Sequence, residues 1–309
     1  MYKSKIIKSF VVIAMILFNV VNAEAQNNWN GKEQKVILIT GTASGIGKAT
    51  AKHLIEKGHI VYGGDIQFQK NKYLDSIGGH SINMDVTDTA MVNAGVKRII
   101  KEQGRIDVLY NNAGWGLYAP IEEVSDEDAR YQFEVNLFGV NNVTKAVLPY
   151  MRKQKSGRIL VTSSMGGKIY MPLGAWYHAS KHAIEGYFDC LRLEVKHFNI
   201  DVVIIEPGAI NTNFGNVTVS YMKKYMDSTA YGHIMDPFGD MMETINNDPK
   251  AIERMSSDPI VIAEVVEKAI RKRKPKTRYV KGKMGKFMIF YRNTFGDRAF
   301  DKLMLRMTK

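Results

Sequence analysis

A short apolar run, Val36 to Ile39, leads directly into Thr40-Gly41-Thr42-Ala43-Ser44-Gly45-Ile46-Gly47, which opens a helical pattern that Gly58 stops. Glycines mark turns everywhere, so their context carries the constraint. Between a strand and a helix, glycine lets the turn be tight and lets backbone amides at the positive helix N-terminus approach a pyrophosphate. Gly41, Ser44, Gly45, Ile46 and Gly47 are therefore candidate dinucleotide-binding residues. The next strand, from His59 to Gly63, ends at Asp65, so strand, glycine turn, helix and strand fit within about thirty residues as one βαβ unit.

Further strands read at His80–Met84, Val108–Tyr110, Arg158–Ser163, Asp201–Glu206 and Thr277–Val280. Helical patterns run over Asp88–Gln103, Asp126–Met151 and Ala175–Phe198, and Ser257-Asp258-Pro259 starts another. This alternation predicts an α/β fold, a single Rossmann-like doubly wound parallel sheet with helices on both faces. The catalytic unit is expected over residues 33–282, with a substrate lid at about 211–256 and a basic amphipathic tail at 283–309. Asp65, at the end of the second strand, can accept hydrogen bonds from adenosine ribose hydroxyls and would repel a 2′-phosphate. NAD is the expected cofactor, preferred over NADP.

The net charge of +12 is unevenly spread. Fifteen Lys or Arg lie between Lys268 and Lys309 against Asp297 and Asp301, giving +13; residues 1–35 carry +3, and the body between carries −4. A nucleic-acid groove over the body is excluded as a partner reading, and no zinc-finger spacing or RNA-binding signature occurs. Cys190, the single cysteine, permits no intramolecular disulfide and no Cys-rich metal site, so no metal is expected; its apolar helical neighbours predict a buried structural thiol. Lys3, Lys5 and Lys8 precede an apolar run from Phe10 to Val21, followed by Ala23-Glu24-Ala25. Residues 1–25 thus resemble a signal peptide or membrane anchor, predicting an exported or membrane-associated protein, with a cytoplasmic one as the alternative.

Tyr177 and Lys181 stand four apart on one helical face, where an ammonium beside a phenol, together with a positive nicotinamide, favours the phenolate. Alone, such a pair is an ordinary helix-surface pair. Here Thr162-Ser163-Ser164 ends the preceding strand, Ser164 being thirteen residues ahead of Tyr177, and Asn136 lies in the helix before it. With Asn111-Asn112-Ala113-Gly114 after the fourth strand, this order of motifs resembles the short-chain dehydrogenase/reductase family over about residues 35–280. The resemblance implies that Ser164 hydrogen-bonds the substrate oxygen, Tyr177 transfers the proton, Lys181 holds the nicotinamide ribose and Asn136 supports a water relay. Ser163 is the alternative to Ser164. It further implies cofactor contacts from Asp85 and Val86, from Asn112, Ala113 and Gly114, from Tyr177 and Lys181, from Pro207 and Gly208, and from Thr212.

The segment Asn211 to Lys250 is rich in Tyr221, Met222, Tyr225, Met226, Tyr231, Met235, Phe238, Met241 and Met242. Such side chains suit a deformable apolar lid, which would make the substrate a lipophilic alcohol or carbonyl; equally, they could simply cover the core. In the tail, Phe287–Tyr291 and Leu303–Leu305 are interleaved with Lys and Arg, a pattern that fits a membrane-surface contact or a homo-oligomer contact. Two other functions stay open: a reductase of carrier-bound 3-oxoacyl chains docking through the basic tail, and a non-catalytic cofactor-sensing regulator.

Overall fold

The computed structural model describes residues 33–225 and 230–307, so the signal-like segment and Met226 lie outside the described residues. Its strands are β1 (Val36–Thr40), β2 (Ile60–Asp65), β3 (His80–Asn83), β4 (Val108–Asn111), β5 (Gly157–Thr162), β6 (Ile200–Pro207) and β7 (Arg278–Lys281). The longer helices between them are α1 (Gly45–Glu56), α2 (Thr89–Gln103), α3 (Asp126–Phe133), α4 (Val140–Gln154) and α5 (Ala175–Glu194). After β6 come α6 (Phe214–Lys223), α7 (Gly232–Asn247), α8 (Pro249–Met255) and α9 (Ile260–Arg271), and α10 (Gly285–Met307), two helical stretches joined by a kink at Gly296, follows β7.

The seven strands form one parallel sheet in the order β3-β2-β1-β4-β5-β6-β7. Both faces are covered, which is why β1 reads as an unbroken apolar run rather than an alternating one. Val36 and Leu38 pack on one side with Val96, Val143, Ile184 and Phe188, while Ile37 and Ile39 pack on the other with Leu54, Ile262 and Val266. Each such side chain, fully buried, stabilises the fold by about 1.5–3 kcal/mol. Chain order reverses between β1 and β4, and the ligand crevice of an open α/β sheet lies at that switch point.

Buried charge ties the layers together. Arg158, at the start of β5, donates to the carbonyls of Ile270 (2.7 Å) and Lys272 (2.9 Å) and pairs with Asp201. It thereby satisfies the orphan carbonyls at the end of α9, where a cation is favoured.

One expectation changes. Cys190 is exposed. The buried positions of α5, among them Lys181, Ile184, Phe188 and Leu191, keep helical phase, and residue 190 lies about 200° round from 188, on the water side with Leu193. Within the basic amphipathic segment 283–309, Met288, Phe300 and Met304 of α10 are buried against Ile169.

Candidate active site

The glycine turn is held by close backbone approach. Gly41 (φ +74) and Gly45 (φ +55) adopt the left-handed region, and a Cβ on Gly47 would lie 2.0 Å from the Gly41 carbonyl oxygen. Ser44, at the N-cap of α1, makes no side-chain cap bond, so the first-turn amides keep their donors free for a ligand. Ile46 packs inward against the β1 layer. Thr212, from the start of the lid segment, roofs the turn, 3.2 Å from where a Gly45 Cβ would be. This cradle fits a pyrophosphate.

Around it stand the other expected cofactor residues. Asp65 accepts from the amides of Ala43 and Gln67, 2.8 Å each, so its carboxylate is oriented by the glycine turn itself. Asp85 accepts from the Thr87 amide and hydroxyl (2.8 Å each), while Val86 is buried against Gly139. Asn112 donates to the Thr40 carbonyl (3.1 Å), and the amides of Asn112 and Ala113 both donate to the Thr40 hydroxyl (3.0 Å). These bonds clamp the ends of β1 and β4 together. Gly114 lies between Asn136 and Lys181, with a virtual Cβ 3.1 and 3.6 Å from their side chains. Pro207 ends β6, and Gly208 donates to the Lys281 carbonyl (2.8 Å), pressed so tightly on the chain leading into α10 that a Cβ would meet the Lys283 oxygen.

Tyr177, Lys181, Ser164 and Asn136 converge. Burial pushes the Tyr177 phenol up to about 12, and the neighbouring Ser164 hydroxyl pulls it back. Ser164 accepts from the Gly166 amide (2.9 Å). Ser163 turns the other way: it is buried, with its hydroxyl toward Gly167. The Lys181 ammonium donates to the Thr162 carbonyl (2.9 Å) and lies 5.9 Å from the Tyr177 ring centroid. Burial lowers Lys181 to about 8.

Asn136 occupies a π turn, Glu134–Gly139, between α3 and α4, a helical irregularity common at functional sites. Its amide donates to the Trp115 carbonyl (3.0 Å) and the Ser180 hydroxyl (3.1 Å) and accepts from the Trp115 amide (3.1 Å). Sequence reasoning missed Thr40, Thr162 and Ser180, whose ordinary hydroxyls and carbonyls gain roles only through this geometry. It also missed His178, which contacts the Gly166 carbonyl (2.9 Å) and the Met171 amide (3.1 Å), setting the loop after Ser164; burial lowers it to about 4, keeping the ring neutral near neutral pH.

Above Tyr177 the lid closes an apolar roof. Tyr118, Leu173, Met222, Met235 and Phe238 are buried with Tyr177, and Phe214, Tyr225, Tyr231, Met241 and Met242 pack around them. Tyr221 instead meets Trp115, with ring centroids 4.4 Å apart. Asp128 of α3 clamps the lid by accepting from Lys224 (2.6 Å) and Tyr225.

One turn beyond Lys181, Glu185 and Glu206 form a buried carboxyl pair. Arg278 reaches Glu185 (2.9 Å), Glu206 (3.3 Å) and Asp189 (2.6 Å), while Lys168 bridges both glutamates at 2.8 and 3.9 Å. Burial and then Glu185 raise Glu206 to about 7, against the pull of Lys168 and Arg278. The folded protein therefore holds an extra proton between about pH 4.5 and pH 7, and stability falls as pH rises through that window. Glu206→Gln should remove that slope. Measured by thermal melting, wild type should lose stability relative to the variant by on the order of 2 kcal/mol between about pH 5 and pH 8. Parallel melting curves would show that the pair does not share a proton.

A family model described as short chain dehydrogenase matches residues 35–221. A 3-ketodihydrosphingosine reductase of Bacteroides thetaiotaomicron is 46% identical over 183 residues, which are 59% of this chain and 66%, just under two thirds, of that relative. An NADPH-dependent 3-dehydrocapnine reductase of Ornithobacterium rhinotracheale is 32% identical over 286 residues, covering 88% of this chain and 96% of the relative. Among solved structures, a short-chain dehydrogenase from Streptomyces avermitilis superposes with a TM-score of 0.72 at 27% identity, covering 89% of this chain and 96% of the other.

Proposed function

The chain belongs to the short-chain dehydrogenase/reductase family of NAD(P)-dependent oxidoreductases, and on that premise we propose that it reduces the ketone of a long-chain, lipid-like substrate, with Tyr177 as the proton donor. The carrying observation is the Tyr177 phenol lying beside the Ser164 hydroxyl under an apolar roof. Support for the substrate class comes from two relatives whose names specify 3-keto and 3-dehydro substrates, one of them a long-chain amino ketone.

When bound, the dinucleotide supplies the hydride. Gly41, Ser44, Gly45, Ile46 and Gly47 would hold its pyrophosphate, with Thr212 above, and Asp65 its adenosine ribose. Asp85 and Val86 would flank the adenine; Asn112, Ala113 and Gly114 would line its path, and Pro207 and Gly208 would border the nicotinamide. Ser164 donates a hydrogen bond to the substrate oxygen, and Tyr177 passes its proton to that oxygen as negative charge develops there. The buried ammonium of Lys181 stabilises the phenolate left behind and would help hold the nicotinamide ribose. Asn136 fixes the Trp115 segment beside Lys181 and supports resupply of the proton through water. NAD is the proposed preference because of Asp65, although the Ornithobacterium relative is NADPH-dependent by name.

The assembly proposed is a homo-oligomer, and exposed Tyr131, Phe138 and Leu193 offer apolar contact for a second copy. A lipophilic substrate also fits a membrane-associated protein that meets the membrane surface through its termini. The test is a screen with NADH and NADPH, following loss of reduced cofactor, against long-chain 3-oxo amino ketones, other lipophilic ketones and carrier-bound 3-oxoacyl thioesters. Turnover of the amino ketones is expected. Turnover of the carrier thioesters alone would transfer the assignment to acyl chains, and binding of cofactor without any turnover would make the protein a sensor.

A further inference from the structure

The inward side of α10 packs on the active-site loop. Met288, Phe300 and Met304 bury Ile169, with Met165, Tyr170 and Met171 around them, and Met171 also touches the apolar roof over Tyr177. The outward side is different. Phe287, Phe290, Phe295 and Leu305 are 53–61% exposed, and Phe287, Tyr291 and Phe295 stand in file with ring centroids 5.9 and 4.8 Å apart. Beside them is a hollow of about 350 Å³ lined by Tyr291, Phe295, Arg298, Lys302, Leu303 and Arg306.

Charge on this face is one-sided. Both acids of the helix are engaged, Asp297 with Arg292 (3.3 Å) and Asp301 with the Tyr170 hydroxyl (2.8 Å). Lys286, Arg298, Lys302 and Arg306 have no acidic partner among the described residues. Exposed aromatic rings ringed by unpaired cations match an anionic lipid interface, where rings sit at the acyl boundary and cations meet headgroups. A second copy fits less well, since a two-fold contact would press this cationic face against itself. No helix among the described residues is long and apolar enough to cross a membrane, so α10 would lie on the surface rather than span it.

We infer that α10 docks the protein on the surface of an anionic bilayer through Phe287, Phe290, Phe295, Arg298, Lys302 and Arg306, placing the active-site loop where lipid substrates reside. The docking itself stands apart from the proposed chemistry; only its purpose rests on it. The full-length protein should therefore be sedimented, without substrate, with vesicles of phosphatidylcholine alone or mixed with phosphatidylglycerol. Binding is expected only to the mixed vesicles and should weaken with salt.

The triple variant Arg298→Gln, Lys302→Gln, Arg306→Gln should bind on the order of a hundredfold more weakly, at about fivefold per cation. Phe287→Ser with Phe290→Ser should also lose binding, and both variants should retain the wild-type melting temperature because the changed side chains face water. Wild-type affinity in both sets, which would place attachment elsewhere in the chain, overturns the inference, as does equal binding to neutral vesicles. So does an oligomer that dissociates in the Phe variants, which would identify a second copy as the occupant.

Discussion

Tyr177→Phe will lower turnover by about 10²–10⁴-fold, the range expected for removing a positioned acid–base group, and leave cofactor affinity nearly intact. The ring is buried and held by Tyr118, Phe214 and His178, with centroids 5.5–5.6 Å away. Phenylalanine keeps that packing and loses only the hydroxyl. Ser164 retains its bond from the Gly166 amide, so the variant should melt close to wild type. Single-turnover reduction measured beside cofactor titration separates the two effects. A variant keeping more than about a tenth of the wild-type rate would remove Tyr177 from the proton path. Lys181→Ala should behave differently, weakening cofactor binding as well as turnover, because the ammonium is assigned to both ribose and phenolate.

Cofactor choice should turn on Asp65. Wild type is expected to prefer NAD by about thirtyfold in kcat/KM, on the order of 2 kcal/mol, from repulsion of a 2′-phosphate at a partly wet strand end. Asp65→Ala with Ile66→Arg should reverse that preference, because Ile66 is 61% exposed and its replacement can reach the phosphate without disturbing the core. The structure adds a cost. Asp65 also receives the Ala43 and Gln67 amides, so removing its carboxylate loosens the glycine turn, and the double variant should lose efficiency with both cofactors while its preference inverts. Ile66→Arg alone keeps the turn intact and should narrow the preference without that loss. Equal wild-type efficiency with NAD and NADP would mean that Asp65 serves the turn only.

Spacing and periodicity in the chain were enough for the parallel sheet and the glycine turn, while the four candidate catalytic residues came from the resemblance in the order of motifs. Each of those signals is local: a strand buried on both faces reads as an apolar run, a helix brings Tyr177 and Lys181 to one side, and a turn that must pass close to backbone demands glycine. Strand limits fell within a residue or two for the same reason, but the helix read over Asp126–Met151 is interrupted by a π turn and runs on to Gln154, and the one read to Phe198 ends at Glu194. Cys190 was misplaced because apolar neighbours in sequence were read in place of helical phase.

What no local pattern could supply is the set of contacts made between elements far apart in the chain. Asp65 meets Ala43, Asn136 meets Ser180, and Glu185, Glu206, Arg278 and Lys168 gather from a helix, two strands and a loop. The same holds for the lid and α10: their composition allowed either a core cover or a binding surface. Only packing decided which apolar side chains turn inward over Tyr177 and which, at Phe287, Phe290 and Phe295, stay in water. Burial depends on which surfaces meet after folding, and only the folded structure shows that it raises the Tyr177 phenol and lowers the Lys181 ammonium.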